Sequence, residues 1–321
     1  MSTSIQFANQ RIHASARVKS TAWHPTAPWL ALGLHSGDVT ILDTSASSPT
    51  VVRSFRVSDK PVRAARFVPR RNWLVTGSDD CVIRVFDCAS WALVRAWDAH
   101  ADYIRSLDVH PTQPLLLSAG DDKLVKTWRW DDASPSSSWH IQDTFAGHSH
   151  YVMQAKFSHE DVVASAALDG SVRFWRLGET APTLVVPNAH GGKGLNCLHL
   201  DADRVVTGAD DHTVVVWRVT SQRGRVTAMD KVRVFAGHTG NVSDVLFAKT
   251  SSRDLVVSAS EDQTVRAWDV ASGACVLSVS HAMERAWSLA ARGAQLAIGL
   301  DQGCCIVDVD AQAASHLASH L

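Results

Sequence analysis

The chain of 321 residues is 45% hydrophobic and 20% charged, and its formal net charge is −1. This composition predicts a globular protein with a sizeable core, and it argues against a disordered tail or a polycation that binds nucleic acid in general. No apolar run reaches the ~18 residues that a membrane-spanning helix requires.

The N-terminal segment MSTSIQFANQ lacks the basic and apolar regions of a secretion signal, so export is not indicated. The six cysteines of the chain form no C-x-x-C pair, and most of them lie within apolar strand patterns. These features predict buried, reduced thiols in a cytosolic protein and no metal site.

From about residue 17 onward the sequence repeats one phrase, in which an aspartate precedes a Trp, Phe or Val by six positions. In chain order the phrases are DDCVIRVF, DDKLVKTW, LDGSVRFW, DDHTVVVW, EDQTVRAW and DQGCCIVD. Their aspartates recur about 39 to 51 residues apart, which is the period of a propeller blade. Between them lie Gly147-His148 and Gly237-His238, and weaker variants end at His100 and His190. The pattern resembles that of WD repeats, in which the histidine hydrogen-bonds the aspartate, so His148, His190 and His238, with Asp169 and Asp211, are predicted to be structural.

The phrases and the strand-rich runs between them divide the chain into seven units, at about 17–58, 59–100, 101–148, 149–190, 191–238, 239–281 and 282–310. The last unit offers only three strands, AWSLAA, QLAIGL and CCIVDV, and the N-terminal SIQFANQ is predicted to add the fourth. The sequence therefore predicts an all-β fold, a single seven-bladed propeller over residues 1–310 that is closed by the N-terminal strand. The polar insertion WDDASPSSSWHIQ is predicted to be a loop. The tail at 311–321 matches no blade and could be a short helix, a disordered end or a cloning artefact.

Each unit begins its innermost strand with a buried aliphatic residue, which is followed by a residue that faces one mouth of the central channel. The aligned aliphatic residues are Val18, Val62, Ile104, Val152, Leu195, Val242 and Ala286. The residues that follow them are Lys19, Arg63, Arg105, Met153, Asn196, Ser243 and Trp287. Three consecutive units thus place a cation at equivalent positions, and Arg17 adds another beside Lys19. Converging like charges repel unless an anion binds between them, so this cluster predicts a ligand site.

The turn between the second and third strands of a unit opens on the same mouth. Polar turn residues there are His35, Asp79, Asp121 and Asp210. Asp102 and Tyr151 lie in the loops that lead into innermost strands, so units 1 to 4 place an acidic and aromatic cluster beside the basic one, and units 5 to 7 are expected to contribute little. The simpler alternative is a surface ion pair of Arg105 with Asp102 or Asp121, worth ~0–1 kcal/mol. A ligand that suits both clusters carries a carboxylate or phosphate next to a cation, as a peptide C-terminus with an upstream lysine does.

Several stretches of the chain resemble the N-terminal propeller of coatomer β′ subunits, namely RVKSTAWHPTAPW, PVRAARFVPRRNWLVTGSDDCVIRVF, AHADYIRSLDVHPTQP, GHSHYVMQ and MERAWSLA. The resemblance runs across all seven units and implies a cargo-recognition propeller of the COPI coat, which returns membrane proteins from the Golgi to the endoplasmic reticulum. Such propellers bind C-terminal dilysine signals, Lys-x-Lys-x-x or Lys-Lys-x-x, on cytosolic tails. The implied partners are these tails and other coatomer subunits (α and ε). No nucleic acid is implied, and a cytoplasmic protein of this kind reaches Golgi and vesicle membranes only through the coat.

The resemblance also assigns roles to residues of the mouth. Arg17, Lys19 and Arg63 match the residues that bind the cargo carboxylate. Asp102 and Asp121 match the acids that bind a cargo lysine.

Further pocket residues implied by the resemblance are Tyr151, which joins the lysine-binding acids, and two candidates, His35 and Arg105. The LHSG around His35 is similar to α subunits, where many β′ sequences have tyrosine, so the preferred dilysine spacing stays open. The family's β′ subunits also continue into a second propeller and a helical solenoid, which this sequence does not contain.

Other functions fit the sequence less well. No G-x-S-x-G, no H-E-x-x-H and no phosphate-cradling glycine loop occurs, so neither an enzyme nor a cofactor is predicted. One alternative is a WD-repeat scaffold whose basic mouth binds an acidic or phosphorylated peptide. Asp102 and Asp121 argue against it, because carboxylates beside the arginines would repel a phosphate. A second alternative is a coat-assembly module with no working cargo pocket.

Overall fold

The computed structural model describes residues 10–131, 138–158, 161–249, 253–280 and 284–308. Within these ranges the chain forms seven four-stranded sheets with antiparallel pairing. The innermost strands of successive sheets contact one another around a closed ring, in which the last sheet lies against the first. The predicted all-β, seven-bladed propeller is therefore confirmed.

The strands of each blade follow one another from the channel outward, except that the outermost strand of blade 7 comes from the start of the chain. The innermost strands are β2 (Val18–Trp23), β6 (Val62–Val68), β10 (Ile104–Val109), β14 (Val152–Phe157), β18 (Leu195–Asp201), β22 (Val242–Lys249) and β26 (Ala286–Arg292). The second strands are β3 (Trp29–Leu34), β7 (Trp73–Ser78), β11 (Leu115–Gly120), β15 (Val162–Ala167), β19 (Arg204–Ala209), β23 (Asp254–Ser260) and β27 (Gln295–Leu300). The third strands are β4 (Asp38–Asp43), β8 (Val82–Asp87), β12 (Leu124–Trp130), β16 (Val172–Arg176), β20 (Thr213–Gln222), β24 (Thr264–Asp269) and β28 (Gly303–Asp308). The outermost strands are β5 (Thr50–Arg56), β9 (Leu93–Asp98), β13 (Trp139–Ala146), β17 (Leu184–Val186), β21 (Arg225–Ala236), β25 (Cys275–Ser280) and β1 (Gln10–His13).

The ring is closed by the N-terminal strand, as predicted. β1 pairs antiparallel with β28, from Gln10 opposite Ile306 to His13 opposite Gly303. Within the described residues, the pairing strand includes Gln10, the last residue of the predicted SIQFANQ segment, and continues to His13. Residues 4–9 and the tail at 311–321 lie outside the described residues, so the predicted domain limits of 1–310 stay a prediction.

The core lies between the blades, where apolar faces of neighbouring sheets pack together. Second strands such as β7 and β11 are buried along their whole length. Each of them pairs with a strand of the same blade on both sides, and a neighbouring blade covers each of its faces. The outermost β5, by contrast, is exposed at almost every position. Fully burying one large aliphatic side chain contributes about 1.5–3 kcal/mol, so these inter-blade layers hold the ring together.

A hydrogen-bonded network of four side chains fixes the blades that carry the full repeat phrase. His148 contacts Asp169 through Nδ1 at 2.9 Å and Ser165 through Nε2 at 2.8 Å. The Trp175 indole donates to the same Ser165 hydroxyl at 3.0 Å. Equivalent networks surround His100, His190 and His238. The predicted structural role of His148, His190 and His238 is confirmed, and His100 has the same role.

Two smaller predictions concern loops and helices. The predicted loop WDDASPSSSWHIQ is shorter than expected, because Trp130 still belongs to β12 and pairs with Trp139, the first residue of β13. The indole rings of these two residues lie 5.0 Å apart, so aromatic packing extends the hairpin.

Among the described residues the only helix is a 3₁₀ turn at Pro69–Arg71, and none is long and apolar enough to cross a membrane.

Candidate functional site

A β-bulge at the start of every innermost strand aims one side chain into the central channel. In each blade the pairing of the innermost and second strands skips one residue directly after the buried aliphatic. An extra residue in a ladder turns its side chain away from the regular alternation. We call these seven residues the bulge ring: Lys19, Arg63, Arg105, Met153, Asn196, Ser243 and Trp287.

All seven bulge-ring residues line one cavity of about 200 Å3 in the channel. The turn between the second and third strands of each blade supplies a second set of residues near the same opening, which we call the turn ring: His35, Asp79, Asp121, Leu168, Asp210, Glu261 and Asp301. The opening that the two rings surround is called the upper mouth below. The predicted convergence of equivalent positions from all blades is therefore present.

In most blades the bulge-ring residue bonds the turn-ring residue of its own blade. Arg63 donates to both carboxylate oxygens of Asp79, at 2.5 and 2.8 Å. Asn196 donates to Asp210 at 2.8 Å, and the Trp287 indole donates to Asp301 at 2.9 Å. In these three blades the bulge-ring side chain is a donor, and the turn-ring aspartate of the same blade accepts its hydrogen bond.

Arg105 and Asp121 form the same kind of pair in blade 3. The Arg105 Nε donates to one Asp121 oxygen at 2.6 Å, and Nη2 donates to the other. Both groups are largely buried, with side chains 18% and 4% exposed, so the pair is stronger than the surface pair considered above. Asp121, predicted to bind a cargo lysine, is already engaged by an arginine, and an incoming ammonium would have to share it.

Blade 1 breaks this complementarity, because both of its ring residues are basic. Lys19 shares blade 1 with His35, where blades 2 and 3 have an aspartate. Within the described ranges Lys19 forms no salt bridge, and its Nζ lies 3.3 Å from the centre of the Trp287 ring. Burial, together with the nearby charges of Arg17 and Arg63, lowers the pKa of Lys19 to about 7. Burial and then the Lys19 charge lower the pKa of His35 as well.

The third cation of the predicted carboxylate-binding group, Arg17, is held by blade 7. Its Nε donates to Asp301 at 2.7 Å, and its guanidinium lies 4.7 Å from the Trp287 ring centre. Arg285 contacts the same carboxylate at 3.2 Å and the same ring at 4.9 Å. The expectation that units 5 to 7 contribute little is therefore wrong, because closure of the ring places blade 7 beside blade 1.

The remaining predicted residues lie around the rim. Asp102 is half-buried and accepts the backbone N–H of Tyr103 at 2.8 Å. Tyr151 is half-buried, and its ring centre lies 5.9 Å from the Arg105 guanidinium. Of the eight residues predicted to form the site, Lys19, Arg63 and Arg105 line the cavity itself.

Two residues of the mouth were not singled out from the sequence. Trp287 stood in the aligned bulge position, but only the closed ring brings Lys19, Arg17 and Arg285 onto its indole. Glu261 lines the cavity, and no hydrogen bond to its carboxylate occurs among the residues that the structure describes. Its charge raises the pKa of Lys19 against the larger lowering by burial. Lys19 and Glu261 therefore line the cavity without a salt bridge or a side-chain hydrogen bond among the described residues.

A comparison with known protein families identifies the repeat of this chain as a WD repeat. The family model described as "WD domain, G-beta repeat" matches residues 49–87, 91–129, 139–176, 182–218 and 229–269, more than half of the chain. Each match begins near an outermost strand and ends in the third strand of the next blade, so a sequence repeat spans two blades.

Curated relatives carry the name coatomer subunit beta'. The rat protein (Rattus norvegicus) is 38% identical over 301 residues, which cover 91% of this chain and 31% of its own length. The human protein (Homo sapiens) is 38% identical over 202 residues, with 61% of this chain and 21% of its length covered. Coatomer subunit beta'-1 of Arabidopsis thaliana is 36% identical over 239 residues, which cover 73% of this chain and 24% of its own length. The chain thus spans about a third or less of the length of these relatives.

Proposed function

This chain belongs to the WD-repeat family and is a coatomer β′-like member of it, and from that premise we propose that its upper mouth binds C-terminal dilysine signals on the cytosolic tails of membrane proteins. The observation that supports this most is the unpaired Lys19. A bulge-ring cation that faces a histidine instead of an aspartate is left for an anion from outside, and a peptide carboxylate has the right charge.

The acidic residues of the mouth suit the other half of such a signal. Among the described residues the Glu261 carboxylate forms no hydrogen bond or salt bridge, and the Asp102 carboxylate accepts a hydrogen bond from a neighbouring backbone N–H. A lysine upstream of the terminal carboxylate could reach these acids while the carboxylate lies near Lys19 and Arg63. A charge-assisted hydrogen bond contributes about 1.5–3 kcal/mol, partly offset by desolvation and by ordering of the tail, so affinities in the micromolar range are expected.

The same proposal covers the cellular role. The chain would act in binding and not in catalysis, as part of a COPI coat with other coatomer subunits such as α and ε, on the cytosolic side of Golgi membranes. Micromolar affinity at one site suits a coat, because many copies on one vesicle gain avidity.

Calorimetric titration tests the proposal with a peptide ending in Lys-x-Lys-x-x, as free acid and as C-terminal amide. We expect micromolar binding of the acid and loss of binding for the amide. Lys19→Met should weaken binding of the acid by about 10-fold or more, since one charge-assisted contact is removed. Lys231→Met is the matched control, because Lys231 is an exposed lysine of the outermost strand β21 and does not line the cavity.

Two other outcomes would change the assignment. Binding of a phosphopeptide that survives amidation of its C-terminus would favour the scaffold that reads acidic or phosphorylated peptides. That reading is disfavoured by Asp79, Asp121 and Asp301, whose carboxylates already neutralise the arginines that a phosphate would need. If neither dilysine peptide binds, a coat-assembly role without a cargo pocket becomes the better assignment.

A further inference from the structure

Blade 4 is the one blade whose two ring positions are both apolar. Its bulge-ring residue is Met153 and its turn-ring residue is Leu168, and both are half-buried. The Leu168 N–H donates to the Tyr151 carbonyl at 3.0 Å, as the Asp79 N–H of blade 2 donates to the Pro61 carbonyl at 3.0 Å. The turn thus lies beside the start of the innermost strand in both blades. Where blade 2 presents a polar pair, blade 4 presents two apolar side chains, which we call the apolar shelf.

The apolar shelf belongs to the same cavity as the proposed carboxylate site. Met153 and Lys19 both line the cavity of about 200 Å3, and blade 4 is three blades away from blade 1 in the ring of seven. The inference drawn here rests on the proposed function, in which the peptide carboxylate lies near Lys19. The rest of the tail has to leave through the upper mouth, so the side chain of the terminal residue is the part that stays in the cavity.

Most polar side chains of the cavity already have protein partners. Asn196 donates to Asp210 at 2.8 Å, and the Ser243 hydroxyl donates to the Ala286 carbonyl. Three further side chains accept a backbone N–H of the following blade: Ser20, Ser106 and Gln154. A polar side chain of the ligand would have to compete with these hydrogen bonds, whereas an apolar one only has to displace water from Met153.

Two charged groups of the lining compete with the apolar shelf for the same side chain. Glu261 would attract a basic one, and Arg66, which donates to the Ala65 carbonyl at 2.7 Å and forms no salt bridge within the described ranges, would attract an acidic one. A charged side chain of either sign is therefore attracted by one group and repelled by the other. The hydroxyl oxygens of Thr21 and Ser288 lack partners, but they are enclosed by protein and have almost no accessible surface.

We propose that the apolar shelf binds the side chain of the terminal residue of the cargo tail, so that the upper mouth prefers a large apolar residue at that position. Methionine suits such a contact, because its flexible thioether chain adapts to side chains of different shapes. A terminal leucine should bind about 5-fold more tightly than a polar residue of similar size, because part of the leucine side chain leaves water.

Calorimetric titration tests the inference with free-acid peptides that differ in the last residue. The tails end in Lys-Ala-Lys-Ala-Leu, Lys-Ala-Lys-Ala-Asn, Lys-Ala-Lys-Ala-Glu and Lys-Ala-Lys-Ala-Arg, and a fifth tail, Lys-Ala-Lys-Leu-Asn, moves the leucine one position upstream. We expect the leucine-terminated tail to bind about 5-fold more tightly than the asparagine-terminated one and more tightly than either charged one. The fifth tail should bind like the asparagine-terminated one, because neighbouring side chains of an extended tail point in opposite directions.

Substitutions of methionine supply the matched controls. Met153→Gln keeps the length of the side chain and removes its apolar character, so the leucine-terminated and asparagine-terminated tails should bind equally. Met229→Gln should keep the preference, because Met229 is half-buried in the outermost strand β21 and does not line the cavity. In protein with ¹³C-labelled methionine methyl groups, NMR should show that the leucine-terminated tail shifts the Met153 signal and leaves the Met229 signal unchanged.

Several results would overturn the inference and leave dilysine binding in place. These are equal binding of the leucine-terminated and asparagine-terminated tails, tighter binding of the glutamate-terminated or arginine-terminated tail than of the leucine-terminated one, the same loss of preference in both glutamine variants, or a Met153 signal that the bound leucine-terminated tail does not shift. If no tail binds, the proposed function fails and this inference fails with it.

Discussion

The charge state of Lys19 gives the upper mouth a testable pH dependence. Burial and the neighbouring Arg17 and Arg63 lower the pKa of its ammonium to about 7, so this lysine loses its charge as the pH rises through neutrality. About nine-tenths of it is charged at pH 6 and about one-tenth at pH 8. If the ammonium form binds the peptide carboxylate, the association constant should fall about 10-fold between these values, which equals ~1.4 kcal/mol.

Two assays measure this effect. NMR of ¹³C-labelled lysine should show Lys19 titrating near pH 7 in the free protein, and the bound carboxylate should raise that pKa. Calorimetry in buffers of different ionisation enthalpy should show proton uptake when the free-acid peptide binds at pH 8. Because arginine keeps its charge over this range, Lys19→Arg should bind with an affinity that no longer depends on pH. His35 is a poor alternative source of the effect, since burial and Lys19 lower its pKa below its ordinary value.

A Lys19 signal that titrates near its ordinary pKa of 10.5 would refute the reasoning about burial, whatever the peptide does. Equal affinity at pH 6 and pH 8 in a protein that binds the peptide would show that Lys19 is not the group that reads the carboxylate.

The remaining predictions concern the partners of Lys19 and the blade networks. His35→Asp should supply the missing acceptor of blade 1, raise the pKa of Lys19 in the lysine NMR titration and weaken the free-acid peptide by about 10-fold; unchanged values would mean that residue 35 does not reach the lysine. Trp287→Leu removes the aromatic ring that holds the Lys19 ammonium in place, so the binding free energy of the peptide should weaken by ~1–2 kcal/mol in calorimetry. Trp287→Phe keeps an aromatic face and should lose less binding free energy than Trp287→Leu. Trp175→Phe removes the donor to Ser165, so urea denaturation should show a loss of ~1–2 kcal/mol in unfolding free energy with peptide affinity unchanged. A loss of affinity as large as that of Lys19→Met would contradict the separation of network and mouth.

Much of the fold follows from the sequence because each blade repeats the same local chemistry. An aspartate followed six positions later by Trp, Phe or Val recurs in six of the seven units and indicated the blades. The aliphatic residue at the start of each innermost strand indicated which residues share the channel. The strand that closes the ring was harder to place. The pairing of Gln10–His13 depends on the free edge of β28, nearly 300 positions away, and no local sequence pattern indicates such a pairing.

The candidate site was predictable in its members and not in its pairings. Arg63 and Asp79 were both placed at the mouth, yet their bidentate contact depends on a bulge that aims one side chain at a turn. Asp121 was assigned to a cargo lysine from the family resemblance, and the sequence alone could not show that Arg105 already binds it. Trp287 was passed over because its neighbours Arg17 and Lys19 come from the other end of the chain.

The distribution of pairs around the mouth favours the sector of Lys19 as the proposed binding site, because the sectors of blades 2 and 3 already pair donors with acceptors. A repeat protein places the same two positions, bulge and turn, in every blade, and the stable arrangement at such positions is a donor facing an acceptor. Arg63 with Asp79 and Arg105 with Asp121 satisfy this rule, and an incoming ligand gains little from groups that already have partners. Lys19 departs from this rule, because His35 carries no negative charge that could neutralise the ammonium. The contact with the Trp287 ring offsets only part of the desolvation of Lys19, whose pKa is lowered to about 7. In the proposed function, a ligand carboxylate recovers as binding free energy the cost of burying the Lys19 ammonium, which forms no salt bridge among the described residues.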